Sequence, residues 1–308
     1  MNYRSLEDLN RHIASGLYKV PAGTDLIVGI PRSGLLAANL LALHMNLPLT
    51  DIEGFIQGKI IKSGERMKGN EKPFELYKRV VVMDDSVYTG AAMEAAKKRV
   101  AGLYPDKEIF FAAVYVIPDA VGKVDLYFNV CSGPRVFEWN IMHHNFLEKC
   151  CVDIDGVLCK DPTEEENDDG VRYERFLAEA QPLCLPTKTI GYLVTNRLEK
   201  YRAHTEAWLA RHNVKYNQLI MCNLPSKEAR VKANNHGGFK ASVYTKYNGF
   251  LFIESSERQA QQIATLSGKP VYCVDCRRMV YPSPTKLRLT GRRVKQVVKQ
   301  VLQELNLL

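Results

Sequence analysis

Short apolar segments alternate with amphipathic segments along most of the chain. The apolar segments are rich in β-branched residues, and a helical pattern follows most of them. They are centred on Leu26, Val81, Phe111, Val152, Leu193, Ile220 and Phe252. This alternation predicts an α/β fold with largely parallel sheets.

The length of the chain and the composition of one connecting stretch predict two domains. The 308 residues are enough for two cores of ordinary size. The stretch 140–149 contains no run of glycine, proline or serine, so it indicates a short, packed connection and not a flexible tether. We therefore predict domains at residues 1–146 and 147–308.

An acid pair stands in the most informative segment of the chain. The apolar run 80–83 leads into Asp84 and Asp85, and a turn of small residues, 86–90, then leads into a predicted helix at 91–100. Ligands of open α/β sheets bind beyond the carboxyl ends of the strands. The carboxylates can accept hydrogen bonds from hydroxyl groups there. The amides of the turn and the helix N-terminus can hold a phosphate.

This order of strand, acid pair, turn and helix resembles the PRPP-binding signature of type I phosphoribosyltransferases. The resemblance implies that Asp84 and Asp85 hold the ribose 2- and 3-hydroxyls and support catalysis. It also implies that the turn holds the 5-phosphate, through Ser86, Val87, Tyr88, Thr89 and Gly90. Tyr88 and Ala92 stand where this family usually has threonines, so backbone amides would provide more of the phosphate contacts.

Two upstream segments extend the resemblance. Residues 25–34 predict a strand, a tight turn and a helix, and Arg32, Ser33 and Gly34 would bind the pyrophosphate. An ordinary turn with an exposed arginine is the alternative. Residues 57–72 are basic and glycine-rich, contain Arg66, and resemble the loop that closes over PRPP in the family. A solvated charged loop is the alternative for that segment.

A second constellation begins at residue 150. The strand-like run 150–153 ends in Asp153-Ile154-Asp155-Gly156, which resembles the first motif of haloacid-dehalogenase-like phosphatases. The resemblance implies that Asp153 is the nucleophile that forms an aspartyl-phosphate. Asp155 would then be the general acid and base. Because the chain is expected to turn at Gly156, the two carboxylates can serve different atoms of the substrate.

The other motifs of that family follow in order. Thr195 would bind the transferring phosphoryl group, and Lys240 would neutralise the aspartyl-phosphate, with Lys232 and Lys227 as rivals. Magnesium prefers hard oxygen ligands, which suits Asp153, the backbone carbonyl of Asp155, and Glu254. Ser255 follows Glu254 where a second aspartate is commoner. The resemblance implies a Rossmannoid fold with a small cap, for which a helix at 171–179 is predicted.

The cysteines, the absence of a targeting segment and the charged stretches indicate where in the cell the protein would act. The eight cysteines show no disulfide framework, and Cys273-Val-Asp-Cys276 lacks the second pair expected of a structural zinc site. No signal peptide or spanning run is evident, so we predict a cytoplasmic protein. The acidic run 161–169 is predicted to be a solvated loop. The basic stretch 286–299 predicts an amphipathic helix, with peripheral contact at the inner face of the membrane as the alternative.

Together the motifs predict a bifunctional enzyme. The order resembles fused phosphoribosyltransferase–phosphatase proteins linked to ribofuranose in bacterial surface polysaccharides. PRPP would be the donor and a glycan, possibly lipid-linked, the acceptor. The 5-phosphate would be removed afterwards with Mg²⁺. The alternatives are a nucleobase phosphoribosyltransferase coupled to a 5′-nucleotidase, and a PRPP-sensing regulator that binds nucleic acid. The formal charge of +8 suits polyanionic PRPP, and no nucleic-acid-binding motif is visible, so we expect no nucleic-acid partner.

Overall fold

The computed structural model describes residues 1–62, 64, 72–233 and 235–282. The chain divides into two compact units, Met1–Trp139 and Asn140–Leu308. We call them the N-terminal unit and the C-terminal unit. The domain boundary predicted after residue 146 falls inside the second unit and stays a prediction.

The N-terminal unit alternates strands and helices, as the sequence predicts. Its strands are β1 (Asn2–Arg4), β2 (Leu26–Gly29), β3 (Leu49–Asp51), β4 (Arg79–Val87), β5 (Glu108–Val116), β6 (Leu126–Val130) and β7 (Arg135–Phe137). Its helices are α1 (Leu6–Ser15), α2 (Ser33–Met45), α3 (Ile52–Ile56) and α4 (Ala91–Val100). The main sheet is parallel, in the order β3-β2-β4-β5-β6, and β1 pairs with β7 separately. Helix α4 has the predicted bounds.

Strand β4 explains why this sheet is buried on both faces. Val81 and Met83 pack with helices α1 and α2, whereas Val80 and Val82 belong to the cluster on the opposite face. Successive side chains of a strand point to opposite faces, so a continuous apolar run suits a strand that is covered on both sides. The apolar run therefore fixes β4 in the centre of the sheet.

The C-terminal unit contains a second sheet. Its strands are β8 (Cys151–Val152), β9 (Ile190–Leu198), β10 (Tyr216–Cys222), β11 (Phe252–Glu254), β12 (Val271–Cys273) and β13 (Arg278–Val280). Its helices are α5 (Val171–Glu179), α6 (Arg202–Arg211), α7 (Lys227–Ala233), α8 (His236–Lys246) and α9 (Glu257–Ser267). The strand order is β10-β9-β8-β11-β12-β13, parallel except for β12 and β13. Helix α5 has the bounds predicted for the cap helix.

Each sheet has a point at which its strand order reverses. In the N-terminal unit the chain places β3 on one side of β2 and β4 on the other. In the C-terminal unit β9 lies on one side of β8, and β11 lies on the other. Crevices at such switch points, beyond the carboxyl ends of the strands, are the usual ligand sites of open α/β sheets. The candidate residues of both units lie there.

The predicted α/β class and the largely parallel sheets are confirmed. Among the residues that the structure describes, no helix is both long and apolar enough to span a bilayer. The predicted basic helix at 286–299 lies outside the described residues.

Two candidate active sites

The acid pair lies within β4 and not at its end, where we predicted it. Asp84 pairs with Ala113 of β5, and the pairing continues to Val87. On the other side, β2 pairs with β4 only as far as Met83. The strand extends past the acid pair because β5 runs on beside it. On the side where β2 has ended, the start of α2 lies against Asp84.

Uncharged groups hold the acid pair. The Ser33 hydroxyl donates to Oδ1 of Asp85 at 2.8 Å, and the Trp139 indole N–H donates to Oδ2 at 2.8 Å. Oδ1 of Asp84 accepts from the backbone N–H of Asp85 at 2.8 Å. Asp84 is 8% exposed and Asp85 is 4% exposed. Burial, and then the adjacent Asp85, raise the pKa of Asp84 to about 8.

The turn between β2 and α2 brings the predicted pyrophosphate residues beside the acid pair. A Cβ atom added to Gly34 would lie 2.8 Å from Oδ1 of Asp84, so only glycine lets α2 begin this close to β4. Ser33 contacts Asp85, and the Arg32 side chain is exposed at the start of the helix. The Pro31–Arg32 peptide bond is cis. An exposed guanidinium next to buried carboxylates can receive an anionic group without contacting the acids itself.

Two basic side chains that we did not predict hold the phosphate turn. Lys123 donates from Nζ to the Thr89 carbonyl at 2.5 Å, and Arg135 donates to the Val87 carbonyl at 3.4 Å. The Arg135 guanidinium also lies 5.2 Å from the centre of the Tyr88 ring, which is 60% exposed. The turn then ends at Gly90, whose φ is +84°. Both bases lie outside the motif, so the motif alone could not identify them.

Part of the loop predicted to close over PRPP, including Arg66, lies outside the described residues. Lys72, at the end of that segment, pairs with Asp25 at 2.8 Å. Asp25 precedes β2, at the amino end of the strand, whereas the acid pair lies at the carboxyl end. Lys72 therefore does not belong to the acid-pair site.

Asp153 directly follows β8 and contacts Lys240 of α8. The Lys240 ammonium donates to Oδ2 of Asp153 at 2.6 Å, to Glu254 at 2.7 Å and to Gln259 at 3.0 Å. Oδ1 of Asp153 accepts from the Ile154 backbone N–H at 2.8 Å. Of the three candidate lysines, Lys240 is the one that makes this contact. Among the other two, Lys227 donates to the Asn167 carbonyl and Lys232 is exposed.

Charges in this buried cluster perturb one another. Burial raises the pKa of Asp153, Lys240 lowers it, and Glu254 and Asp155 raise it, for a final value of about 8. Burial lowers the pKa of Lys240, but Asp153 and Glu254 more than offset this and raise it overall. Lys240 therefore remains a cation among carboxylates, as a site that receives a phosphoryl group requires.

Asp155 forms an ion pair with Arg197, which our sequence analysis did not predict. The guanidinium of Arg197, at the end of β9, donates to Oδ1 of Asp155 at 2.6 Å and 3.2 Å and to Oδ2 at 3.1 Å. The Cys159 thiol also reaches Oδ1, at 3.5 Å. Oδ1 thus has three partners and Oδ2 has one. Oδ2 is the oxygen with spare capacity to exchange a proton.

The turn at Gly156 explains how the two aspartates separate. Gly156 has a φ of +74°, in the left-handed region that glycine adopts readily. A Cβ atom there would lie 2.3 Å from Oγ of Ser255 and 2.8 Å from Oδ2 of Asp161. Ser255 in turn donates to the Asp155 carbonyl at 3.4 Å. The small serine thus fits against the turn in the position where an aspartate is commoner.

The predicted Mg²⁺ ligands have other partners in the structure. Among the described residues, no group of three or more His, Cys, Asp or Glu side chains has metal-binding geometry. Lys240 bridges Asp153 and Glu254, the Asp155 carboxylate faces Arg197, and the Asp155 carbonyl accepts from the Ser255 hydroxyl at 3.4 Å. The three-ligand set stays a prediction. The donor chemistry still fits a hard cation. Burial and neighbouring carboxylates raise the pKa of Asp153 and of Asp161, and an additional positive charge would offset that excess of negative charge.

Thr195 is fully buried near the end of β9, where its hydroxyl accepts from the Arg197 backbone N–H at 3.2 Å. The neighbouring Asn196 donates to Gln259 at 3.2 Å, and Gln259 also accepts from Lys240. Gln259 therefore links the end of β9 to the Lys240 cluster. Arg197 follows the Thr195 motif directly, so its position was visible in the sequence, although its partner was not.

Comparisons with known proteins find a match for the N-terminal part of the chain. Residues 2–146 match the family model described as phosphoribosyl transferase domain. A phosphoribosyltransferase domain of type I therefore occupies the N-terminal part of the chain. No curated protein matches the chain.

Solved structures similar to this chain include two purine enzymes. The xanthine-guanine-hypoxanthine phosphoribosyltransferase of Helicobacter pylori is 18% identical, with a TM-score of 0.35, and the match covers 46% of this chain and 93% of that one. A purine phosphoribosyltransferase from Pyrococcus horikoshii is 26% identical, with a TM-score of 0.33, and covers 45% of this chain and 92% of that one. A hypothetical protein from Neisseria gonorrhoeae with bound ppGpp is 15% identical, with a TM-score of 0.32, and covers 45% of this chain and 89% of that one.

Proposed function

We propose that the chain transfers a 5-phosphoribosyl group from PRPP to an acceptor and then removes the 5-phosphate. The observation that carries this proposal is the presence of two differently built acid sites in one chain. One site, held by uncharged donors, suits ribose hydroxyls. The other, with its carboxylates paired to Lys240 and Arg197, suits a phosphomonoester. Because the first reaction leaves a 5-phosphate on its product, the second can act on that product.

In the transfer step, the acceptor attacks C1 of the ribose as the bond to pyrophosphate breaks. Asp84 and Asp85 would hold the 2- and 3-hydroxyls and stabilise positive charge that develops on the ring. Arg32 would contact the departing pyrophosphate. A single displacement of the α-configured leaving group gives a β product. The amides of the turn 86–90 would hold the 5-phosphate, so transfer precedes phosphate removal.

In the second step, Asp153 would attack the phosphorus atom, and the bond to the sugar oxygen would break. Lys240 would neutralise the phosphoryl oxygens, and Thr195 would bind one of them. Oδ2 of Asp155 would give a proton to the leaving alcohol and then take one from the water that hydrolyses the aspartyl-phosphate. When bound, Mg²⁺ would be held by Asp153, the Asp155 carbonyl and Glu254, and would supply charge stabilisation at the phosphoryl group.

A nucleobase is the first acceptor candidate. The Trp139 indole is half-buried beside Asp85 and stacks on Phe137, with ring centres 4.8 Å apart and planes at 11°. An exposed part of an indole near the reaction centre favours a planar acceptor. Two similar structures are named as purine enzymes, although at TM-scores of 0.35 and 0.33 they do not decide the acceptor.

A glycan hydroxyl is the second acceptor candidate. The cap of the phosphatase site contains little besides helix α5, so a bulky phosphoester has access. Under this proposal the product would be a β-ribofuranosyl glycan instead of a nucleoside.

Product analysis tests the proposal and separates the two acceptors. The full-length protein would be incubated with PRPP and Mg²⁺, either with purine and pyrimidine bases or with lipid-linked glycan primers. Mass spectrometry should show addition of a ribosyl group without phosphate, and the NMR coupling at the anomeric carbon should indicate the β configuration. An α product, or no consumption of PRPP with either class of acceptor, would contradict the proposal.

A further inference from the structure

A cavity of about 500 Å³ lies between the loop that follows β8 and helix α5. Seven charged side chains line most of it: Lys160, Asp161, Glu165, Glu166, Arg172, Arg175 and Glu179. We propose that this cavity binds the leaving group of the phosphomonoester and that the leaving group is a sugar. The inference rests on the phosphatase reaction proposed above and names the class of molecule that this site accepts.

The cavity adjoins the phosphatase site. Asp161 lines the cavity, and its Oδ2 lies 2.8 Å from the position that a Cβ atom of Gly156 would occupy, next to Ser255. At the other end, Phe176 lines the cavity, and the Arg197 guanidinium lies 5.9 Å from the centre of its ring. Arg197 holds Asp155. A substrate whose phosphate lies at Asp153 would therefore have the cavity available for its alcohol portion.

The lining combines hydrogen-bond donors and acceptors. Arg172 pairs with Asp168 at 3.1 Å, whereas neither Lys160 nor Arg175 has an ion-pair partner in the part of the chain that the structure describes. Glu165 and Glu179 supply acceptors on the same surface. A sugar hydroxyl both donates and accepts, so a lining of mixed sign suits a polyhydroxylated ligand. A ligand of one charge would meet repulsion from part of this surface.

The cavity exposes no aromatic face to a planar ring. Phe176 is the one aromatic residue among the described lining residues, and it is only 6% exposed. An aromatic stacking platform is a common means of holding a base. The lining therefore favours the hydroxyl-bearing sugar part of the substrate over a base.

The loop at 161–169 is solvent-accessible, as predicted, and hydrogen bonds hold the end of it that leads into α5. Asp168 accepts from the backbone N–H groups of Gly170 at 2.9 Å and Tyr173 at 3.0 Å. Asp169 accepts from Lys200 at 2.9 Å and from the Tyr201 hydroxyl at 3.0 Å. A wall held by its own hydrogen bonds is organised before the ligand arrives, which reduces the ordering cost of binding.

Two substrates and three variants test the proposal in the full-length protein. We would measure kcat/KM for ribose 5-phosphate and for p-nitrophenyl phosphate, which carries no sugar. Arg175→Ala and Glu179→Gln should each lower kcat/KM for ribose 5-phosphate by about tenfold, since each removes a charged hydrogen-bonding group. Both variants should hydrolyse p-nitrophenyl phosphate within about twofold of the wild-type rate, as expected for substitutions outside the reacting groups. Glu174→Gln is the control, because Glu174 is exposed on α5 but does not line the cavity.

The outcomes are distinguishable. A selective loss with the sugar phosphate, absent in the Glu174→Gln control, would support the cavity as the sugar site. Equal losses with both substrates, or no loss with either, would overturn the cavity proposal and leave the phosphatase assignment intact. If the wild-type protein hydrolysed neither substrate, the proposed phosphatase function would fail, and the cavity proposal would fail with it.

Discussion

The two acid sites occupy equivalent places in their sheets but differ in what holds the carboxylates. Each lies at a switch point of a parallel sheet. Among the described residues, Asp84 and Asp85 accept only from uncharged groups, whereas Asp153 and Asp155 each have a cation. A pair held by neutral donors has hydrogen-bonding capacity left for a neutral, hydroxyl-bearing ligand. A pair already matched by cations can tolerate an incoming phosphate dianion. The charge of the neighbours thus distinguishes the two chemistries better than the acids themselves do.

The strongest test of this contrast is Asp153→Asn. It should lower phosphate release by on the order of 10⁴-fold or more, because the amide cannot act as the nucleophile. The transfer step should continue, so the product should accumulate with one phosphate more than the wild-type product. Mass spectrometry of the product measures both effects. Orthophosphate release at the wild-type rate would place the nucleophile elsewhere.

The reciprocal change is Asp84→Asn combined with Asp85→Asn. The double variant should lose PRPP-dependent transfer by on the order of 10³-fold, because the ribose hydroxyls and the developing positive charge lose their partners. Its hydrolysis of p-nitrophenyl phosphate should be unchanged. Pyrophosphate release and p-nitrophenol release report on the two units separately. Retained transfer in this variant would refute the role of the acid pair.

Arg197→Met tests whether the ion pair of Arg197 with Asp155 supports the proposed phosphatase reaction. Loss of the charge-assisted bonds should reduce phosphatase kcat by about 10- to 100-fold. The loss should appear in kcat and not in KM, because Arg197 contacts Asp155 and is not placed on the substrate. Arg197→Lys should restore part of the rate, since lysine keeps the charge but not the two-pronged geometry.

Arg202→Met serves as the matched control, because Arg202 begins the next helix and pairs with Glu199 and Glu206 instead. Its phosphatase kcat should match that of the wild-type protein. Equal losses in Arg197→Met and Arg197→Lys, with no rescue by the retained charge, would show that the positive charge of Arg197 does not support Asp155.

The smallest expected effect concerns the stability of the N-terminal unit. The pKa of Asp84 is raised to about 8 in the folded protein, against about 3.9 in an unfolded chain. The folded state therefore binds more protons than the unfolded state between these values, so stability is greatest at low pH and falls as pH rises toward 8. Without ligand, the Tm should fall by several degrees between pH 5 and pH 8.

Asp84→Asn should flatten that dependence, because the amide resembles the protonated acid. Thermal unfolding followed at several pH values provides the measurement. The variant should match the wild-type protein near pH 5 and exceed its Tm near pH 8. An equally steep decline in both proteins would indicate that another group is responsible.

The sequence predicted local structure well where the signal is local. Helices α4 and α5 have the predicted bounds, because small or apolar residues at helical spacing follow a turn in each case. The end of β4 was misplaced because it depends on β5, whose paired residues lie 29 positions later in the chain. The β-propensity and hydrophobic pattern of one strand contain no information on how far a neighbouring strand extends.

In the candidate sites, too, residues in short local motifs could be singled out from the sequence, whereas residues that make long-range contacts could not. The aspartates were found because each stands in a short motif, and Lys240 was selected from three lysines by its position in the order of motifs. Arg197 and Trp139 were missed because their partners lie 42 and 54 residues away in the sequence. Arg197 and Trp139 come close to their partners only when the sheets have formed. Contacts of that kind can be identified only from the folded structure and not from the sequence pattern.

Gln259 connects two of these distant segments, and this has a consequence for how the protein matures. The hydrogen bonds among Asp153, Lys240 and Gln259 join residues as far as 87 positions apart. The contacts that hold Asp85 in the N-terminal unit, from Ser33 and Trp139, join residues 52 and 54 positions apart. Contacts between remote segments form late, since long stretches of chain must close first. The Lys240 cluster can therefore form only when the ends of β8 and β11 and the helices α8 and α9 have all come together. We therefore expect the proposed phosphatase activity to appear only after the C-terminal unit has folded completely.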